Sequence, residues 1–113
     1  MAKKKIVRER TNPCGKDCPV QRTASIIEGK WTLLIVRDLL TGKKRYSELQ
    51  RSLTGISPRL LAMRLRALET QRIVTRRVYP TKPPSTDYDL TSDGFKLQGL
   101  VKEMAIFGTH FKF

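Results

Sequence analysis

Residues 55–71 have the sequence GISPRLLAMRLRALETQ, and this stretch carries the clearest structural signal in the chain. Ser57 is a favourable helix N-cap residue, and Pro58 suits the first helical position. The residues that follow, up to about Gln71, are mostly strong helix formers. Leucines recur at helical spacing and predict one buried stripe, formed by Leu61, Leu65 and Leu68.

The opposite face of this predicted helix combines positive charge with small or flexible side chains, namely Arg59, Ala62, Met63 and Arg66. A face of this width and charge suits the major groove of DNA. Arg59 is expected to contact a base edge, and Arg66 a base or a phosphate. Ser57 and Pro58 are expected beside a phosphate, because free N–H groups and the helix dipole attract anions. The alternative is a charged helix face that is merely solvated.

Three further helices and a short connector are predicted on the N-terminal side. Their bounds are Pro19 to about Glu28, Trp31 to about Leu40, and Ser47 to Leu53, with a minimal strand possible between Lys43 and Tyr46. Leu33, Val36 and Leu40 make the second helix apolar nearly all round, which is typical of a central core helix. A tight glycine-containing turn joins the last of the three to the helix after Ser57, and this is a helix-turn-helix arrangement.

A β-hairpin is predicted directly after the helix-turn-helix. Residues 73–79 and 86–90 are extended, and the segment Pro80–Ser85 between them holds three prolines, which makes it a loop. A last helix, capped by Thr91 or Ser92, is expected to reach Phe111. The sequence thus predicts a mainly α fold with a small β-hairpin, a winged helix-turn-helix, as one domain at 18–113 after a basic arm and turn at 1–17.

The chain is strongly basic, with 23 lysines and arginines against 10 acidic residues and a formal net charge of +13. Such an excess attracts polyanions such as nucleic acid, although a merely basic protein or a binder of anionic membrane has the same composition. Basic residues flank the helix-turn-helix in the hairpin (Arg76, Arg77, Lys82) and in the connector before it (Lys43, Lys44, Arg45). Lys82 in the hairpin loop is expected to reach the minor groove or backbone, and the connector to contact phosphates. The Met1–Arg10 arm would add non-specific affinity or serve only as a solubilising tail.

Several classes of function are disfavoured. No signal peptide or membrane-spanning run is visible, so a cytoplasmic protein with mostly reduced cysteines is expected. An enzyme is not expected, since there is one histidine and no nucleophile elbow, phosphate-binding glycine loop or paired carboxylates; no cofactor is predicted. A winged helix used for protein or RNA contacts remains the alternative to a DNA-binding regulator.

The last helix is too apolar for a chain of 113 residues to cover completely. Its apolar side chains are Leu97, Leu100, Val101, Met104, Phe107 and Phe111. The first helix offers a second apolar stripe, formed by Val20, Ala24 and Ile27. Pairing of these surfaces between two copies predicts a homodimer.

Motifs along most of the chain resemble the HxlR-type regulators. The resemblance runs through Cys18-Pro19-Val20, residues 27–35 (IEGKWTLLI), residues 45–49 (RYSEL), residues 55–59 (GISPR) with Leu65, Leu68 and Glu69, then Val78-Tyr79-Pro80, Tyr88 and Leu90-Thr91. It implies a MarR-related winged helix that dimerises through its first and last helices and binds palindromic operators, which we expect to act as a repressor. Relatives commonly have polar residues at the positions of Ala62 and Met63, and often tryptophan at that of Phe107. The operator sequence therefore does not follow from the resemblance.

The two cysteines, Cys14 and Cys18, are separated by three residues. Cys18 stands at a predicted helix start near Lys16 and Arg22, and both features lower a thiol pKa. Relatives that sense oxidants use a cysteine at the position of Cys18, so the resemblance suggests a redox switch with Cys14 as a possible resolving partner. Inert cysteines, or a metal shared across a dimer, are the alternatives, though two cysteines and a distant His110 make a poor zinc set. His110 is expected at the surface or an interface.

Overall fold

A computed structural model describes residues 18–113, which form six helices and a three-stranded antiparallel sheet. The elements in chain order are α1 (Pro19–Ile26), α2 (Lys30–Leu39), β1 (Lys44–Arg45), α3 (Tyr46–Ser52), α4 (Pro58–Thr70), β2 (Val74–Tyr79), β3 (Ser85–Leu90), α5 (Ser92–Phe95) and α6 (Gln98–His110). The predicted fold class is confirmed. The Met1–Arg10 arm and Cys14 lie outside the described residues.

The hairpin forms with the predicted strands and a loop at its tip. β2 and β3 pair antiparallel from Val74 opposite Leu90 to Tyr79 opposite Ser85. The minimal strand between Lys43 and Tyr46 is also present, since β1 adds to the other edge of β3 and gives the order β1-β3-β2. Its pairing attaches the start of the helix-turn-helix to the hairpin that follows it.

The core is a single cluster of aliphatic side chains around α2 and α4. α2 contributes three completely buried residues, Ile35, Val36 and Leu39. The leucine stripe of α4 faces them, with Leu61, Leu65 and Leu68 at most 1% exposed. α3 adds Leu49, and the sheet adds Val74, Tyr88 and Leu90. The central place predicted for the second helix and the buried stripe of the fourth are both confirmed.

The prediction of a single last helix up to Phe111 is wrong, because two helices occupy this segment. Thr91 caps α5 by accepting the N–H of Gly94 at 3.0 Å. This short helix closes with i→i−3 hydrogen bonds, in which Lys96 and Leu97 donate to Asp93 and Gly94. Tight docking at Gly94 fixes the first turn on β3, and the chain then starts α6 in a new helix.

No helix among residues 18–113 combines the length and apolar character needed to cross a membrane.

Candidate nucleic-acid interface

The N-terminus of α4 is held in place by three hydrogen bonds. The Ser57 hydroxyl oxygen accepts the N–H of Leu60 at 3.1 Å, which confirms the predicted N-cap. The hydroxyl of Tyr46 on α3 donates to the carbonyl oxygen of Pro58 at 2.8 Å. The Gln50 amide donates to the carbonyl oxygen of Ile56 at 2.7 Å. α3 and the turn thus fix the direction in which the first turn of α4 projects.

The outward face of α4 presents the side chains predicted for it. Arg59 and Arg66 are exposed, and Met63 between them is 52% exposed, whereas Ala62 is half-buried. Residues four and three apart lie on one face of a helix, so the two guanidinium groups flank the thioether. α4 therefore offers a positively charged ridge with an apolar centre.

Arg64 has a different environment from the two exposed arginines of α4. It is half-buried, and a Cβ built on Gly29 would lie 3.3 Å from its Nη2 atom. Gly29 has φ +84° and ends the connection between α1 and α2. The Arg64 side chain therefore packs beneath the junction of the first two helices rather than on the ridge.

Arg76 and Arg77 extend from opposite faces of the hairpin, because neighbouring strand residues alternate. Arg76 lies beside α4, with its Nε 3.7 Å from a carboxylate oxygen of Glu69. It is opposite Tyr88, whose pKa is raised above 10.0 by burial, an effect partly offset by the positive charge of Arg76. Tyr88 is therefore neutral at physiological pH, and Arg76 adds its charge to the α4 side of the sheet.

The other face of the sheet holds a second group of basic residues. Arg77 lies 5.9 Å from the ring centroid of Tyr79 and is opposite Asp87, which is also opposite Arg45. Lys43 lines the groove beside these residues. The Asp87 carboxylate offsets part of the positive charge of this face.

Lys44 and Lys82, the remaining lysines predicted to contact DNA, differ in how free their side chains are to reach a ligand. The Lys44 ammonium donates to the Thr41 hydroxyl at 2.8 Å, so this half-buried side chain already has a local partner. Lys82 is exposed in the loop between β2 and β3. The twelve predicted DNA-contacting residues are thus divided among the α4 face, the two sheet faces, the connector and the hairpin tip.

A separate apolar surface is formed by α1 and α6. Val20 is 66% exposed, Met104 46% and Phe107 62%. An apolar groove between the two helices is lined by Pro19, Val20, Thr23, Ala24, Ile27 and Leu100. Phe107 stacks on Phe111 with ring centroids 5.1 Å apart. Leu97 and Val101 also pack against the chain's own core, so only part of the predicted interface set is free for a partner. Ile106 and Phe113 are exposed as well, and sequence reasoning omitted them.

Cys18 is the residue immediately before α1, as predicted, and its carbonyl oxygen accepts the N–H of Arg22 at 3.0 Å. It is disulfide-bonded in this structure. Among the described residues, no group of three or more histidine, cysteine or acidic side chains is placed to hold a metal ion. His110 is exposed, and its ring Nδ1 lies 2.9 Å from the carbonyl oxygen of Ile106.

Comparison with known proteins decides the family. The model of the HxlR-like helix-turn-helix family matches residues 26–112. The chain belongs to the HxlR-like helix-turn-helix family. It is therefore a DNA-binding transcriptional regulator of the winged helix-turn-helix type and not an enzyme.

Relatives of this HxlR-like regulator agree over nearly the whole chain. The HTH-type transcriptional regulator sll1512 of Synechocystis is 36% identical over 107 residues, covering 92% of this chain and 79% of its own. A MarR-family transcriptional regulator from Porphyromonas gingivalis W83 superposes with a TM-score of 0.81 at 35% identity, covering 96% of this chain and all of its own.

Two solved structures of the redox regulator HypR also match. Its reduced form has a TM-score of 0.77 at 38% identity, covering 80% of this chain and 90% of that chain. Its oxidised form has a TM-score of 0.79 at the same identity, covering 85% and 99%.

Sequence reasoning missed the polar residues that position this HxlR-like regulator's interface. Tyr46 and Gln50 hold the start of α4, and Glu69 holds Arg76. The motifs that resemble the family include Tyr46 and Glu69 but assign neither of them a positioning role. Their partners are a backbone carbonyl and a strand residue, which the sequence pattern alone does not bring together.

Proposed function

We propose that this HxlR-like regulator binds a palindromic operator in double-stranded DNA as a homodimer, with α4 of each copy in the major groove. The observation that carries the proposal is the exposed ridge of Arg59, Met63 and Arg66 on a helix whose other face is fully buried. The capped N-terminus of α4 supplies a favourable position for a phosphate. Arg76 and Lys82 extend the basic surface toward the neighbouring backbone or minor groove.

The homodimer is supported by the apolar surface of α1 and α6. Exposed apolar side chains at this density mark interaction sites in soluble proteins. A two-fold arrangement presents two recognition helices to one side of a duplex, which matches a palindromic site with half-sites about 10 base pairs apart. A dimer bound across a promoter excludes other proteins from it, and on this ground the regulator is proposed to be a repressor.

An RNA-binding use of the same fold has less support. RNA-binding sheets usually offer exposed aromatic rings on which bases stack. Here Tyr88 is buried, Tyr46 is bonded to Pro58, and Tyr79 is half-buried beside Arg77.

Redox control through Cys18, with Cys14 as its partner, is the second part of the proposal. Two thiols would form one disulfide and release two protons and two electrons to an oxidant such as diamide. The position of Cys18 before α1 supports this, because α1 contributes to the proposed dimer surface. The described structure has Cys18 in its disulfide-bonded state, and conversion between this state and the reduced one would alter the placement of the two recognition helices and change DNA affinity.

Equilibrium binding to the DNA upstream of the protein's own gene, compared with a scrambled duplex, tests both parts. Reduced and diamide-treated protein are measured side by side, with Cys18→Ser as the control that cannot form the bond. Selective binding that oxidation changes only in the wild type supports the regulator and the switch. Selective binding indifferent to oxidation removes the switch. If a random duplex pool also yields no preferred sequence, sequence-specific recognition itself is contradicted.

A further inference from the structure

Met63 is the one large apolar side chain that α4 leaves exposed. It is 52% exposed, whereas the leucines of the same helix at positions 61, 65 and 68 are at most 1% exposed. Its position is therefore not explained by the core. The apolar surface of α1 and α6 does not include it either, since α4 packs against α2 and β2.

The neighbours of Met63 indicate what would cover it. Arg59 precedes it by four residues and Arg66 follows by three, both exposed on the same face. Positive charges on both sides suit a polyanion and disfavour an apolar protein partner, which would have to desolvate two guanidinium groups. The occupant that satisfies all three side chains is a major groove, with phosphates and guanine edges for the arginines.

The apolar feature that distinguishes bases in the major groove is the 5-methyl group of thymine. A thioether on a flexible chain adapts its contact to such a group, has no hydrogen-bond donor and is only a weak acceptor. Four residues of helix rise about 6 Å, and stacked base pairs are about 3.4 Å apart. A base beside Met63 thus lies within about two base pairs of the base beside Arg59.

We propose that Met63 recognises a thymine methyl group, so that each operator half-site has a thymine within about two base pairs of the base contacted by Arg59. This inference rests on the proposed function, because it requires α4 in the major groove. It assigns part of the operator's sequence to a residue of this chain.

Deoxyuridine substitution tests the proposal, because it removes the methyl group and preserves base pairing. An operator is first selected from a random duplex pool, and each thymine of one half-site is then replaced in turn. The wild type is expected to lose affinity about fourfold at one thymine, the change that corresponds to about 0.8 kcal/mol for one buried methyl group. In Met63→Ala, the same replacement is expected to change affinity less than twofold.

Two further variants separate a direct contact from a general loss of binding. Arg66→Ala should bind more weakly and keep the fourfold response to deoxyuridine. Met63→Leu should keep most of it, since the side chain remains apolar. Thermal unfolding checks that all variants fold, which is expected because both positions are exposed.

Selective binding with no response to deoxyuridine at any thymine would overturn the inference and leave the proposed function standing. An undiminished response in Met63→Ala would overturn it too, because another residue would then contact the methyl group. Failure to select any sequence would overturn the proposed function, and the inference with it.

Discussion

Three arginines on α4 differ in role because of where their guanidinium groups lie. Arg59 and Arg66 are exposed, whereas Arg64 packs against Gly29 at the junction of α1 and α2. Because Arg59 and Arg66 are exposed, their charges reduce the stability of the fold little and remain accessible to DNA. Arg64 thus connects α4 to Gly29, the residue between α1 and α2.

Arg59→Ala is expected to weaken operator binding by about 1–3 kcal/mol and to relax specificity at one base pair, because a bidentate base contact is lost. Equilibrium binding to the selected operator and to single-base variants measures both effects. Lys96→Ala is the charge-matched control, since Lys96 follows the end of α5, is paired with Asp93 and should change binding little. Unchanged discrimination in Arg59→Ala would remove this residue from the base-reading set.

Arg72 ends α4 in a conformation that suits glycine. Its φ is +63°, and the N–H of Ile73 donates to the carbonyl oxygen of Leu68 at 2.9 Å. Arg72→Gly is therefore expected to be more stable than Arg72→Ala by about 1 kcal/mol, because only glycine adopts this region without strain. Both variants lack the arginine side chain, so chemical denaturation compares the backbone effect alone. Equal stabilities of the two variants would show that the positive φ at position 72 does not favour glycine.

The elements of the fold follow closely from sequence where turn residues and periodicity agree. Ser57-Pro58 and the leucine stripe predict α4 with its N-cap, and the proline-rich segment 80–84 separates β2 from β3 as expected. The break between α5 and α6 could not be predicted, since apolar residues at helical spacing continue through it. Next to the break, Gly94 packs closely against the carbonyl oxygen of Ile73 and the side chain of Leu90, a tertiary contact that the helical spacing does not encode.

Gly94→Ala is expected to destabilise the protein by about 1–3 kcal/mol, because a Cβ there would collide with the carbonyl oxygen of Ile73 and lie 3.0 Å from a Leu90 methyl group. Gly99→Ala is the matched control. It lies in α6 with nothing within 4 Å of the added Cβ, so a stabilisation of about 0.5–1 kcal/mol is expected. Thermal unfolding of both variants measures the difference; equal effects would show that Gly94 is not tightly docked.

At the scale of the whole molecule, apolar and basic surfaces are separated. The apolar surface on α1 and α6 accounts for the excess of hydrophobic residues in the last segment. The basic ridge on α4 is a separate surface, for which we propose DNA as the ligand. Several residues predicted for the two surfaces are exposed, but Leu97 and Val101 also pack against the core, Ala62 is half-buried, and the exposed Ile106 and Phe113 were not among the predicted residues. The sequence could not show that Arg76 is opposite Tyr88 and Arg77 opposite Asp87, because this depends on the register of β2 with β3.

Met104→Glu or Phe107→Glu is expected to weaken the dimer and operator binding together, since a buried unpaired carboxylate opposes association. Light scattering and operator binding are the two readouts. Thr109→Glu adds the same charge at an exposed polar position of α6 and should leave both nearly unchanged. A dimer that persists in both Met104→Glu and Phe107→Glu would place the interface elsewhere.

Two copies of α4 are proposed to lie in successive major grooves of one operator. Protection of guanine N7 atoms from methylation by dimethyl sulfate tests this placement directly, because these atoms are reached only through the major groove. We predict two protected patches about 10 base pairs apart, with the Arg59→Ala variant losing protection at one guanine in each. Selective binding that leaves every guanine N7 reactive would contradict the placement of α4 in the major groove.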